Sequence, residues 1–208
     1  MSDDSRFLLE SVLEQSRQAD YPGLKPDKFF ELFSAQQVLK ARRFNPDPVE
    51  IESGIVGGEG DGGVDGFYLF VNRKFIREDT EPSAFKDQQL NVELIIVQGK
   101  NKPSFEESVP TKLKDFTEYC LRLNADTGAT QRLLYSEGLL TLVKKFHDIY
   151  KPALALRPRL SINFFHVSLA DHVDAKVQAR ADLLVARVKE FFPTAECSFE
   201  FIRGNIDH

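Results

Sequence analysis

The chain of 208 residues is 42% hydrophobic, enough for a real core in one domain or at most two small ones. No run approaches about 18 apolar residues, and the start MSDDSRFLLESVLEQ has acids where a secretory signal needs basic residues. A membrane span and a leader are therefore not expected, and the cytosol is the default compartment. Twenty-seven Lys and Arg against 32 Asp and Glu leave a formal charge of −5, which excludes a globally basic nucleic-acid binder and requires any polyanion to be gripped locally.

In chain order, an apolar-periodic stretch from Phe7 to Arg17 predicts a first helix, and YPGLKP at 21–26 a connecting loop. Phe29, Phe30, Leu32, Phe33, Val38 and Leu39 then recur with helical spacing between Pro26 and Arg43, predicting an amphipathic helix that Pro26 and Asp27 can start. VDGFYLFV at 64–71 and VELIIV at 92–97 are aromatic and β-branched and predict strands, the second apolar enough to be buried on both faces. The 19 residues 72–90 that follow the first of them form an elaborated hairpin loop. Helices are predicted near 110–123 and 133–150, and a strand over 157–169. A helix with the apolar face Val173, Val177, Ala181, Leu184, Val185, Val188 and Phe192 follows, ending at Pro193, and a last strand spans 197–202. The order predicts an α/β domain with a mixed central β-sheet flanked by α-helices. Residues 1–24 are read as an N-terminal helical extension of a domain over 25–208. The end at FIRGNIDH, directly after the last strand, raises the expectation that the chain is the N-terminal part of a longer protein.

Glycine is the most informative count. Of 12 in the chain, Gly57, Gly58, Gly60, Gly62, Gly63 and Gly66 fall within the decapeptide GGEGDGGVDG. Gly58, Gly60 and Gly63 satisfy GxGxxG, but a dinucleotide loop needs a helix after it and here a strand follows. A calcium loop from Asp61 would place Gly63 and Asn72 where ligands belong, so it fails as well. The hairpin offers a third reading: if the two strands pair antiparallel, Asp65 comes to lie beside Gln98, Gly99 and Lys100. An acid and an amide oxygen suit a hard divalent cation such as Mg2+, and a lysine beside them can stabilise charge developing on a phosphorane.

GDGGVDG followed by VQGK resembles the PD-(D/E)XK nuclease superfamily in its D…QxK, Mrr-like variant, where glutamine replaces the second acid. With FELFSAQQVL before and ELIIVQGKNK after, the chain looks most like the N-terminal nuclease domain of the abortive-infection phage-resistance family. The motifs cover roughly residues 25–125. The resemblance implies a restriction-endonuclease-like fold and a Mg2+- or Mn2+-dependent endonuclease of bacterial phage defence. It makes Asp65 the metal-binding acid, Gln98 the stand-in for the second acid, the Gly99 carbonyl a further metal contact and Lys100 the catalytic lysine. Glu31, in the position of the family's "FE" pair, becomes an additional acid, although Glu50, Glu59 or Asp61 could supply it instead. DNA is the expected partner ahead of RNA, with no membrane and with homodimer formation left open.

The plainer alternatives are specific. Asp61 and Asp65 alone would pass for Asp-Gly turn residues, and QxK at the end of the second strand is what favours a site. Glu31 is otherwise a solvent-facing helix residue. Cys120 and Cys197 lack metal or disulfide spacing and are expected to be reduced core residues. His147, His166, His172 and His208 show no ligand spacing and are expected to be structural or superficial. Cations for a phosphate-tracking groove are available at Arg42, Arg43, Lys100, Lys102, Lys112, Lys114, Lys144 and Lys145, although Lys112 and Lys114 cannot share one helical face well. A non-catalytic nucleic-acid-binding or assembly module of the same fold, or an RNA-directed nuclease, remains the alternative.

Overall fold

The structure is a computed structural model that describes residues 3–58, 60–86, 88–125 and 128–203; Glu59 and His208, named above, lie outside the described residues. Five strands, β1 (Gly66–Val71), β2 (Lys74–Phe75), β3 (Asn91–Lys100), β4 (Arg159–Ser168) and β5 (Glu196–Arg203), form one mixed sheet in the order β2-β1-β3-β4-β5. β1 pairs antiparallel with β3, setting Gly66 opposite Val97, whereas β3, β4 and β5 run parallel. The parallel pairs need helical crossovers, which the later helices supply.

Side chains alternate across the sheet. Tyr68, Phe70, Ile95, Val97 and Phe165 face α1 (Asp3–Asp20) and α2 (Pro26–Ala41). Phe67, Leu69, Leu94, Ile96, Ile162 and Phe164 face α4 (Ser108–Phe116), α6 (Glu137–Ala153) and α7 (Ala175–Phe191). The sheet is thus buried on both faces, and each fully buried large side chain, such as Phe67 or Phe164, contributes about 1.5–3 kcal/mol. Cys120 is buried and Cys197 half-buried, both free thiols. Among the described residues no helix is long and apolar enough to cross a membrane.

Several expectations need correction. α2 starts at Pro26 as predicted but is not simply amphipathic, because α1 and the short α3 (Pro48–Ser53) pack on it as well as the sheet. α3 was not anticipated, although its signal is present: Asp47 and Glu50 form a reciprocal capping box around Pro48. The long hairpin connection first turns back as β2 through Asn72 and Arg73, both at positive φ, which is the two-residue turn that matches strand twist. The predicted helix over 133–150 is two helices, α5 (Ala129–Leu134) and α6, broken where extended Ser136 caps α6 by accepting from the Leu139 amide at 3.3 Å. α4 runs on into a π-helical turn, Thr117–Leu121.

Candidate functional site

Asp65 immediately precedes β1 and is held from every side. Its N–H donates to the Val97 carbonyl at 2.9 Å, and its own carbonyl accepts from Val56 and Gly57 at 2.8 and 3.1 Å. Its side chain is buried, with Oδ2 accepting from Gln98 Nε2 at 2.6 Å and from the Gly99 N–H at 2.8 Å. The antiparallel hairpin therefore brings Asp65, Gln98 and Gly99 together as the sequence predicted. Gly99 enters through its N–H. A side-chain carbon there would lie 2.7 Å from Ser34 Oγ, so the glycine lets α2 close onto the end of β3.

That close approach also delivers Glu31, one turn before Ser34 on α2. A side-chain carbon on Gly57 would lie 2.5 Å from Glu31 Oε2 and 3.1 Å from Asp65 Oδ1, so both carboxylates border the volume that Gly57 leaves open. Lys28 pairs with Glu31 at 2.7 Å and restrains it. Glu50, the alternative acid, is instead occupied with the α3 cap and with Arg77. Asp61 spends its carboxylate on the loop, accepting from the Gly63 N–H at 2.7 Å.

The Asp65 carboxyl is pushed up from its ordinary 3.8 to about 7, first by burial and then by the negative charge of Glu31, with Lys100 and the Gly99 N–H opposing. Two oxygens on this hydrogen-bonded pair, Asp65 Oδ1 and Gln98 Oε1, are buried with no partner among the described residues. The amide orientation is the one Asp65 dictates, because an amide oxygen turned toward it would set two acceptors face to face. Buried acceptors without donors are costly, and these are hard oxygen ligands beside a cradle that any side chain on Gly57 would fill. The residues fit a hard divalent cation. They do not form an all-carboxylate cage: among the described residues no group of three or more His, Cys, Asp or Glu is placed to hold a metal ion.

The glycine segment borders this pair without contributing side chains. Gly63, at φ +84°, lies under Lys112, where a side-chain carbon would come 2.8 Å from Lys112 Cβ and 3.5 Å from Gln98 Oε1. Gly62, at φ +58°, lies against the Tyr135 ring. The segment runs into a strand rather than a helix, so its position excludes the dinucleotide reading.

Most of the expected cationic groove is already paired. Lys102 is held by Glu106, Lys114 by Glu118, Lys144 by Asp148, and Arg42 by Glu93 and Glu200, while Lys145 donates to the Thr80 carbonyl. Lys100 and Lys112, nearest the site, have no ion-pair or hydrogen-bond partner among the described residues. Lys112 and Lys114 do turn to different neighbours, the glycine segment and Glu118 respectively.

One residue set aside in the sequence acquires a different standing. His166 is fully buried on β4, in register with Gln98 on β3, and neither ring nitrogen has a partner among the described residues. Phe105 and Phe201 flank it. Burial holds its pKa down at about 4 from the ordinary 6.5. His147 is also buried, bonded to the Leu121 carbonyl, and His172 is exposed beside Asp171.

Gly57→Ala tests the cradle. The atom its methyl would strike is the tip of Glu31, which can turn aside together with its half-exposed Lys28 partner, and Asp65 Oδ1 need give only a few tenths of an ångström, so folding stability should fall by no more than about 2 kcal/mol. Divalent-ion binding measured by calorimetry should weaken at least tenfold; unchanged affinity would move the cation elsewhere.

Compared with known proteins, the chain matches no family model, no curated protein and no solved structure.

Proposed function

We propose that the protein is a divalent-metal-dependent nuclease that hydrolyses phosphodiester bonds in DNA, with a restriction-endonuclease-like core. The observation that carries this reading is the buried Asp65–Gln98 pair, two of whose oxygens have no partner among the described residues, next to Lys100, likewise unpaired there, two residues along the same strand. The sheet supports it, since an antiparallel hairpin followed by parallel crossover strands sets the acid and the QxK residues side by side. DNA as substrate, and a role in phage defence, rest on the motif resemblance.

Asp65 and Gln98 would hold Mg2+ or Mn2+ through their free oxygens. A bound ion there supplies Lewis acidity and lowers the pKa of a water. Glu31, restrained by Lys28, faces the same small volume and can accept a proton from an attacking water. Gln98 and Lys100 share one side of β3 by strand alternation, so the ammonium stands on the side where negative charge gathers on the phosphoryl oxygens. Gln98 adds an oxygen without charge, which favours one tightly held ion over two.

Lys100→Ala should reduce Mg2+- or Mn2+-dependent cleavage of single- and double-stranded DNA by about 100- to 1000-fold, read on labelled substrates. Wild-type protein that binds DNA without metal and cuts neither DNA nor RNA would instead assign a non-catalytic module.

A further inference from the structure

A cleft of about 680 Å3 opens along α6 next to α5, lined among others by Arg132, Tyr135, Glu137, Lys144, His147 and Lys151. Its charges are not equivalent. Lys144 is committed to Asp148, and His147 Nε2 to the Leu121 carbonyl. Arg132 and Lys151 have no hydrogen-bond or ion-pair partner among the described residues, against one uncommitted acid, Glu137. In a chain with a net charge of −5, surplus positive charge has to be assembled locally, and a ligand-sized concavity that carries it fits a phosphate better than any cation.

The cleft shares a wall with the Asp65 site. Tyr135, which lines it, presses its ring on Gly62, and the neighbouring Ser136 N–H donates to the Gly60 carbonyl at 2.5 Å. Next to Gly62, Lys112 covers Gly63. Between the two cationic positions run Gly60, Gly62 and Gly63 at positive φ, with Gly60 exposed, Gly62 half-buried against Tyr135 and Gly63 buried beneath Lys112, while Asp61 is turned onto the loop's own amides. A polymer crossing there would run over exposed Gly60 and along the Tyr135 and Lys112 side chains that cover the other two glycines, with Asp61 the one acid in the stretch 60–63.

Building on the proposed nuclease function, we infer that this cleft is a second phosphate site for the same substrate: a nucleic-acid strand lying over Asp65 passes the glycine segment and places backbone phosphates against Arg132 and Lys151. The protein would accordingly act on polymers that extend several nucleotides to one side of the scissile bond, and poorly on short ones.

The double variant Arg132→Glu/Lys151→Glu changes two exposed side chains and should fold as wild type, checked by its melting temperature. Binding of labelled 6- to 30-nucleotide strands is followed by fluorescence anisotropy across salt concentrations, and turnover of the long strand is compared with that of bis(p-nitrophenyl) phosphate in Mn2+. Expected are a Kd for the long strand raised at least tenfold, a salt slope smaller by roughly one to two, and a polymer-to-small-diester turnover ratio reduced at least tenfold. Unchanged polymer Kd and ratio, in a protein that still hydrolyses the small diester, would overturn the cleft while leaving the nuclease reading intact. Arg132- and Lys151-dependent polymer binding without hydrolysis of either substrate would support the cleft and overturn the nuclease. A 5′-mononucleotide that binds wild type as tightly as the long strand, and is lost in the double variant, would assign the cleft to a small phosphate ligand and overturn the inference.

Discussion

Asp65→Asn should abolish metal-dependent cleavage and at the same time make the metal-free protein more stable above neutral pH. The two effects have one cause. Asp65 is buried beside Glu31, and its carboxyl is raised from the ordinary 3.8 to about 7. Between those values the folded protein keeps a proton that the unfolded chain has released, so stability falls as pH rises from about 4 to 7, and the full penalty stands above 7. A gap of about three units corresponds to as much as about 4 kcal/mol. Asparagine keeps an oxygen for the Gly99 N–H and can pair with a reoriented Gln98 amide, but carries no charge. At pH 8 the variant should therefore melt about 10 °C higher than metal-free wild type, an advantage that vanishes near pH 4. Saturating Mg2+ or Mn2+ should raise the melting temperature of wild type only, and more at pH 8 than at pH 6, because the ion and the proton compete for one carboxylate. A variant that is less stable at pH 8, or a wild type indifferent to divalent ions, would show that Asp65 is a structural turn residue.

The same geometry explains what could be read from the residues alone. An antiparallel hairpin places the residue before one strand beside the end of the other whatever the loop between them does, so Asp65 and Gln98 meet even though the 19-residue connection contains an unforeseen β2. Glu31 was harder to fix. Its approach depends on Ser34 seating against Gly99, a contact between elements more than 60 residues apart that no local pattern encodes. The break before α6 was hidden because the apolar spacing of 133–150 continues through it, and only the bond from Ser136 to Gly60 reveals where the chain must leave the helix. α3, by contrast, was missed in plain view, since Asp47, Pro48 and Glu50 spell a capped helix start.

Cations illustrate the limit of composition. Eight Lys and Arg side chains looked available for a phosphate groove, yet i,i+4 and cross-element partners occupy most of them. Such exposed pairs are individually weak, about 1 kcal/mol or less, so they lower the local positive potential more than they stabilise the fold. Lys100, Lys112 and Arg43 keep no side-chain partner among the described residues; Arg43 lies beside the β1–β2 turn, so the two lysines are the unpaired ones next to Asp65, and that becomes visible only once the elements are packed.

His166 carries the second large effect, opposite in sign to that of Asp65. Its register with Gln98 is set by the parallel crossover from β3 to β4, which is why a histidine in the middle of SINFFHVS reads from the sequence as structural or superficial. Folded, it stays neutral down to about 4, whereas in the unfolded chain it takes a proton near 6.5. Stability is therefore lost as pH falls from about 6.5 to 4, by about 3 kcal/mol at most. Asp65 gains over nearly the same interval as pH falls, so the two largely cancel in wild type. Each single variant should unmask the other. His166→Leu, close in volume and without orphaned nitrogens, should be as stable as wild type or more so at pH 8 and should gain further stability toward pH 4.5. Asp65→Asn should lose stability over the same range, and the double variant should lack both slopes. Urea midpoints at pH 4.5, 5.5, 6.5 and 8 read this directly. The remaining perturbed acids act in every variant, so the differences isolate the pair; a His166→Leu profile parallel to wild type would mean that the ring takes up its proton in the folded protein, through a donor or water exchange its burial does not reveal.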